Sequence, residues 1–155
     1  MAKVGTLVAG TTATAADVNS GFAAWTAWSP TYTNLTIGNG TVTARYTQAG
    51  RITYVYWGLV WGSTTSIAGS VKVSNFPVTM FSSRMVYGQT AEFFDASAGT
   101  TVGGVLGFDT TTSVSLYVDG TAGTYRTAAV LSSTVPFTWT TSDEMTFMAT
   151  YEGTS

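Results

Sequence analysis

The side chains that could do acid–base chemistry are eight carboxylates, because the sequence contains no histidine and no cysteine. A Ser–His–Asp triad, a cysteine nucleophile and a zinc site built from Cys and His are therefore excluded. The best candidate pair is Glu92 and Asp95, which lie at a predicted strand end and in the turn that follows it. A glycosidase would need such a pair to face each other across a cleft with separated pKa values.

The remaining acids favour structural roles over catalytic ones. Asp95, Asp109 and Asp119 lie in predicted turns, where an Asp side chain accepts hydrogen bonds from its own backbone. Asp143 and Glu144 are expected to be solvated charges at the start of the last strand. Threonine and serine hydroxyls are abundant, but no histidine is present to activate one. The sequence predicts a protein that is not an enzyme and has neither catalytic residues nor a cofactor.

The charge content argues against metal ions, nucleic acids and membranes as partners. The Asp95–Gly99 segment has too few acids for a calcium loop, so no metal site is expected. Six scattered basic residues cannot follow a phosphate backbone. No apolar run of about 20 residues is present, which argues against membrane insertion. No signal-peptide pattern is found, and the lack of cysteine fits synthesis in a reducing cytoplasm.

The composition predicts one folded domain rich in β-structure. A length of 155 residues with 45% apolar residues and a net charge of −2 excludes general disorder. Charged residues make up only 9% of the chain, against about 25% in an average domain. Abundant threonine and glycine favour strands and turns over helices.

Residues 1–30 differ from the rest and predict an N-terminal arm with a short α-helix. Thr14 is a good helix cap, and Asp17 suits the positive end of the helix dipole. A helix of this length is marginal alone, so it must pack on its own domain or bundle with other copies about a symmetry axis. Its apolar face would contain Val18, Phe22 and Trp25, which we predict to form an anchoring and oligomerisation surface.

Residues 31–155 change to an alternating pattern that predicts an antiparallel β-sandwich of the jelly-roll type. Short strands separated by turn signals about every ten residues are typical of sandwiches and barrels. We predict strands at 41–48, 51–61, 71–75, 85–94, 102–108, 113–118, 126–131 and 144–151.

The strand Ile52–Trp61 is apolar on both faces, which is unusual in an antiparallel sandwich. One face should be the core, and the face with Tyr54 and Tyr56 should be an oligomer interface or the floor of a groove. The alternative is a free carbohydrate-binding module, in which aromatic rings stack on sugars. The candidate glycan contacts are Trp61, Tyr87 and Trp139.

Two stretches carry a family resemblance. The segment Thr14–Phe22 resembles the short TAADVN motif that opens many bacteriophage tail-fibre and minor tail proteins. The stretch from Trp25 to Gly69 resembles a β module of minor tail and fibre-like virion proteins from phages of actinobacteria. Its recurring features are found here at Trp25–Thr33, Gly38–Thr41, Ala44–Arg51 and Gly62–Thr65.

The resemblance implies a virion protein that is made and assembled in the bacterial host cytoplasm. It implies a homotrimer whose partners are further copies of itself and other virion proteins of the capsid or tail. The module is nearly the whole chain, so a tail-fibre or tail-tip subunit and a head-fibre or capsid-decoration subunit both remain open. A host cell-surface glycan is an expected ligand of a tail-located subunit. No catalytic residue is implied.

Overall fold

The computed structural model describes residues 24–82, 86–122 and 125–154, without the side chains at 86–88, 121–122 and 125–126. Within these ranges the chain forms ten antiparallel strands and no helix. The strands are β1 Thr26–Ala27, β2 Thr31–Thr36, β3 Thr41–Ala49, β4 Ile52–Val60, β5 Ser66–Ser74, β6 Val86–Asp95, β7 Thr100–Thr110, β8 Ser113–Ala122, β9 Tyr125–Val130 and β10 Glu144–Glu152.

All ten strands belong to one curled sheet. Its order is β1-β3-β4-β10-β6-β7-β8-β5-β2, and β9 pairs with β8 beside this path. Strands far apart in that order meet across the interior. Tyr32 of β2 accepts a hydrogen bond from the Trp57 indole of β4 at 3.2 Å, and the two rings lie 6.0 Å apart. The sheet therefore encloses its own core.

The alternation of side chains explains which residues fill that core. In β10, Met145, Phe147, Ala149 and Tyr151 are all buried, and the residues between them point away from the interior. Successive strand residues point to opposite faces, so a period of two places one set inside. The aromatic centre includes Trp57 and Phe147, whose rings stack at 5.4 Å.

Two loops that carry the family-like motifs bind each other. The Asn39 carboxamide oxygen accepts hydrogen bonds from the Thr64 amide at 3.0 Å and the Thr64 hydroxyl at 2.9 Å. Gly38 has a φ of 58° and lies against Thr64, where a Cβ atom would overlap the threonine. Thr65 donates to the Ile37 carbonyl at 2.6 Å. These motif residues join the loop after β2 to the loop after β4, and this structural role explains why the two motifs occur together in the sequence.

The structure confirms the prediction of an all-β antiparallel fold. The eight predicted strands correspond to β3–β10, and the short strands β1 and β2 were not predicted. One continuous sheet does not by itself establish the finer prediction of a jelly-roll-like sandwich. The division into parts 1–30 and 31–155 stays a prediction, although β1 pairs with β3 across that boundary.

The predicted N-terminal helix does not reach Pro30. Val18 and Phe22 lie outside the described residues, so their part of the helix stays a prediction. Trp25 is described, and it precedes the extended residues Thr26 and Ala27, which pair with Tyr46 and Arg45. Residues 26 and 27 are extended because pairing with the edge of β3 gives their backbone groups hydrogen bonds, whereas the end of a marginal helix would leave such groups without partners.

Candidate functional site

The two carboxylates singled out for catalysis have different environments. Glu92 is exposed on β6, and Asp95 serves the turn that follows. The Asp95 carboxylate accepts hydrogen bonds from the Ser97 hydroxyl at 2.7 Å and from the Ser97 and Ala98 amides. The Ser97 hydrogen bond, together with those amides, lowers the pKa of Asp95. This carboxylate therefore acts as an acceptor for its own turn, as the turn prediction required.

Asp143 corrects the expectation of a solvated charge, because its side chain is fully buried. Its carboxylate accepts hydrogen bonds from the amides of Ala96 at 3.0 Å and Thr140 at 2.6 Å, and from the Thr140 hydroxyl at 3.3 Å. It thereby links the turn after β6 to the segment before β10. Three donors compensate for the loss of water around a buried carboxylate.

Two further aspartates lie in strands and not in turns. Asp109 is near the end of β7, where it accepts a hydrogen bond from Ser115 at 2.7 Å and pairs with Lys72 at 3.1 Å. Asp119 lies within β8. The turn prediction for these two residues is wrong, because β7 and β8 continue past the positions where the sequence suggested that they end.

Neither a metal cluster nor a membrane-spanning helix is found in the part of the chain that the structure describes. No group of three or more acidic residues converges there in a way that could hold an ion. No helix of the length and apolarity that a bilayer crossing needs is found among the same residues.

The most unusual surface is the side of β3, β4 and β10 that points away from the core. We define the outer face as Trp25, Arg45, Tyr54, Tyr56, Val60 and Met148. Cross-strand register places Arg45, Tyr56 and Met148 in one row over three neighbouring strands. The exposed fractions are 45% for Trp25, 44% for Tyr54, 42% for Val60 and 52% for Met148. Large apolar groups are thus exposed together on one side of the sheet.

A single cation lies in the middle of the outer face. The Arg45 guanidinium lies 4.9 Å from the centre of the Trp25 ring and 5.1 Å from that of Tyr56. A guanidinium over an aromatic face is attracted by the ring quadrupole, so Arg45 fixes the positions of both rings. Tyr54 and Met148 lie outside these two cation–ring contacts.

A shallow depression of about 50 Å³ lies beside Tyr56. Its floor is Gly58, where a Cβ atom would lie only 2.8 Å from the Tyr56 hydroxyl oxygen. A side chain at position 58 would therefore displace the end of the Tyr56 side chain from its place over the strand. Half of the remaining lining residues bear hydroxyl groups, and the full set is Thr41, Thr43, Leu59, Val60, Glu144 and Thr146.

The predicted interface residues that the structure describes come together on the outer face. Tyr54 and Tyr56 flank Val55 on β4, and Arg45 joins Trp25 to Tyr56. Sequence reasoning missed Met148. Its alternation with Phe147 in β10 was the signal, because an apolar residue at an outward position marks an exposed patch.

The predicted glycan contacts that the structure describes are Trp61 and Trp139, of which Trp61 is buried. Trp61 is only 5% exposed and stacks on Trp139 at 4.6 Å. Trp139 also contacts Phe137 at 4.7 Å and the edge of Phe93 at 6.1 Å. Protein rings occupy the space that a sugar would need against Trp61. The Tyr87 side chain lies outside the described part of the structure.

Comparison with known proteins identified no relative of this chain. No family model, curated protein or solved structure matches the chain.

Proposed function

We propose that this chain is a structural subunit of a bacteriophage virion and that it assembles as a homotrimer through its outer face. It would be a tail-fibre or tail-tip subunit, or a head-fibre or capsid-decoration subunit. In the tail-located case it would also contact a host-surface glycan. The proposal includes an N-terminal helix that anchors the subunit, and it includes the classification of the curled sheet as a jelly-roll-like sandwich. Its support is the resemblance of Thr14–Phe22 and Trp25–Gly69 to virion proteins, together with the outer face.

The outer face carries the proposal. Four large apolar side chains are each more than two-fifths exposed on one side of the sheet, and the exposed Arg45 contacts two rings. Exposed apolar patches of monomeric proteins are usually small, and larger ones mark interaction sites. Tyr, Trp, Met and Arg are the residues that interfaces favour. The surface has the composition of a contact region.

Charge placement supports a second copy as the occupant. The outer face has Arg45 at its centre, and Glu144 lies beside its end, where it is opposite Val60 in register. A rotated copy can therefore set an acid against the arginine without bringing two like charges together. Trp25, the described member of the predicted anchor, also lies on this face.

The alternative function is a free carbohydrate-binding module. Two exposed rings, Trp25 and Tyr54, together with the neighbouring threonines Thr47 and Thr150, favour it. Aromatic faces beside hydroxyl groups suit the apolar and polar sides of a sugar. In this case the chain would be a monomer, and its binding surface would be the outer face and not the Trp61–Trp139 pair.

Mass measurement on one matched pair of variants tests the proposal. Tyr54→Asp places a charge in the proposed interface, where an unpaired ion costs several kcal/mol. Thr33→Asp places the same charge at an exposed position of β2, away from the outer face. Light scattering should show trimers for the wild type and Thr33→Asp and monomers for Tyr54→Asp. Circular dichroism should show that the Tyr54→Asp monomers are folded.

A monomeric wild type, or a Tyr54→Asp variant that stays trimeric, would overturn the assembly. A monomeric wild type whose binding to a glycan array is abolished by Tyr54→Ala would instead establish the carbohydrate-binding alternative.

A further inference from the structure

The outer edge of β9 is an open strand edge. β8 pairs with β7 along one side. On its other side β5 pairs with residues 113–115, and β9 pairs with residues 117–122. β5 then diverges towards β2, so the sheet splits beside β8. Among the described residues no strand pairs with the second edge of β9.

The side chains of β9 make this edge suitable for pairing. Thr127, Ala128, Ala129 and Val130 are all exposed, and Val130 is 50% exposed. These four residues are uncharged and small or β-branched, and they include no proline. An open edge presents alternating N–H and C=O groups that an extended chain can bind. Natural proteins usually protect such edges with charges, prolines, bulges or short strands.

The edges of β1, β2 and β3 have that protection. β1 is only two residues long. β2 follows Pro30 and is interrupted at Asn34, which has a φ of 58° and lies at a register shift. β3 is covered at its centre by β1 and carries Arg45 there. β9 has Arg126 near its start, but the rest of the strand, from Thr127 to Val130, carries no charge, proline or register shift.

We propose that β9 pairs antiparallel with β9 of a second copy about a two-fold axis. A two-fold axis normal to the sheet sets a residue opposite its own copy, and with Ala128 opposite Ala128 it sets Thr127 opposite Ala129, so small uncharged side chains meet at the centre. In that register Arg126 lies opposite Val130 of the other copy. The two arginines are then separated by four strand positions, about 14 Å, which is beyond the screening length at physiological salt. The strand is therefore self-complementary.

This contact is separate from the outer face and does not depend on the trimer. It joins two units, whether each unit is one chain or three. A short edge contact buries little area, so we expect it to be weak and to depend on protein concentration. Full-length wild type should therefore double its mass as concentration rises.

Two neighbouring proline substitutions test the pairing. Consecutive residues of a strand direct their N–H groups to opposite edges, so one of Ala128→Pro and Ala129→Pro removes an N–H that binds β8. The other removes an N–H that points outward. We expect that second variant to keep the wild-type circular dichroism and thermal midpoint but to fail to double in sedimentation equilibrium.

Three outcomes overturn the proposal. They are a wild type that never doubles, a folded outward-facing proline variant that still doubles, and a lack of concentration-dependent amide protection in β9. Hydrogen exchange on the wild type gives the last result even if both variants unfold. Tyr54→Asp changes the size of the unit and leaves doubling intact, so failure of the trimer and failure of the edge contact are distinguishable.

Discussion

The two faces of β4 contain similar residues but have different environments. On the inner face Val55, Trp57 and Leu59 are at most 1% exposed, whereas on the outer face Tyr54 and Val60 are exposed by more than two-fifths. Hydrophobicity therefore identifies the strand without deciding what covers each side. The inner side is covered by the rest of this chain. The outer side needs a second molecule, or it remains an exposed patch.

The aromatic contacts on the two faces also differ. Inside, Trp57 stacks on Phe147 at 5.4 Å and donates its indole N–H to Tyr32. Outside, two rings are held by one guanidinium in partial contact with water. Close packing removes apolar area from water and satisfies the buried N–H, so the inner face contributes most to stability.

The largest difference in unfolding free energy is expected when one aromatic residue on each face is truncated. Trp57→Ala should lower the free energy of unfolding by about 3–5 kcal/mol, because it leaves a cavity in the core. Tyr54→Ala should change the unfolding of the dissociated subunit by no more than about 0.5 kcal/mol, because its side chain is already solvated. Urea denaturation measures both. Equal losses for the two variants would contradict the assignment of faces.

A smaller effect is expected from two neighbouring acids with opposite environments. Asp143→Ala should cost about 2–3 kcal/mol, because the Ala96 and Thr140 amides lose a charged acceptor and the buried site of the carboxylate is left empty. Glu144→Gln, at the next position and exposed, serves as the control and should be nearly neutral. Thermal unfolding distinguishes them, and an Asp143→Ala variant as stable as the wild type would show that water replaces the carboxylate.

The smallest effect concerns alkaline stability, which depends on the inner face. Burial raises the pKa of Tyr151, whose hydroxyl donates to the Val78 carbonyl at 2.9 Å. The folded state thus keeps the phenol protonated, whereas the unfolded chain ionises it above about pH 10. This contribution is complete below that pH and is lost as the pH rises towards the folded-state pKa.

Tyr151→Phe is the matched variant for that measurement. It should cost about 1 kcal/mol at neutral pH through the lost hydrogen bond. It should also flatten the fall in unfolding free energy above about pH 10, because no phenol at this position remains to ionise. An unchanged alkaline slope in the variant would assign the effect to another group.

Local patterns predicted most strands but missed those shaped by distant contacts. β3 to β10 follow from alternation and turn residues. β2 escaped prediction because Asn34 interrupts its alternation, and its side chain instead binds the Ser70 carbonyl at 2.9 Å. β1 consists of two residues that become a strand only because β3 lies beside them.

The candidate site was predicted in part for the same reason. Tyr54 and Tyr56 follow from the doubly apolar strand, because both lie on one face by their spacing alone. Trp61 and Trp139 could not be placed, since a sequence cannot show whether two tryptophans stack on each other or on a sugar. The burial of Asp143 depends on a turn 47 residues away, and local sequence carries no signal of it.

The sequence by itself determined the period-two strands, the apolar character of both faces of β4, and the absence of histidine and cysteine chemistry. These properties are local or compositional, so no knowledge of distant contacts is needed to see them. Only the tertiary structure decided which face of β4 points inward, which aspartate is buried and which strand edge has no partner among the described residues. Each of these depends on the order and register of strands, which arise from contacts between residues far apart in the chain.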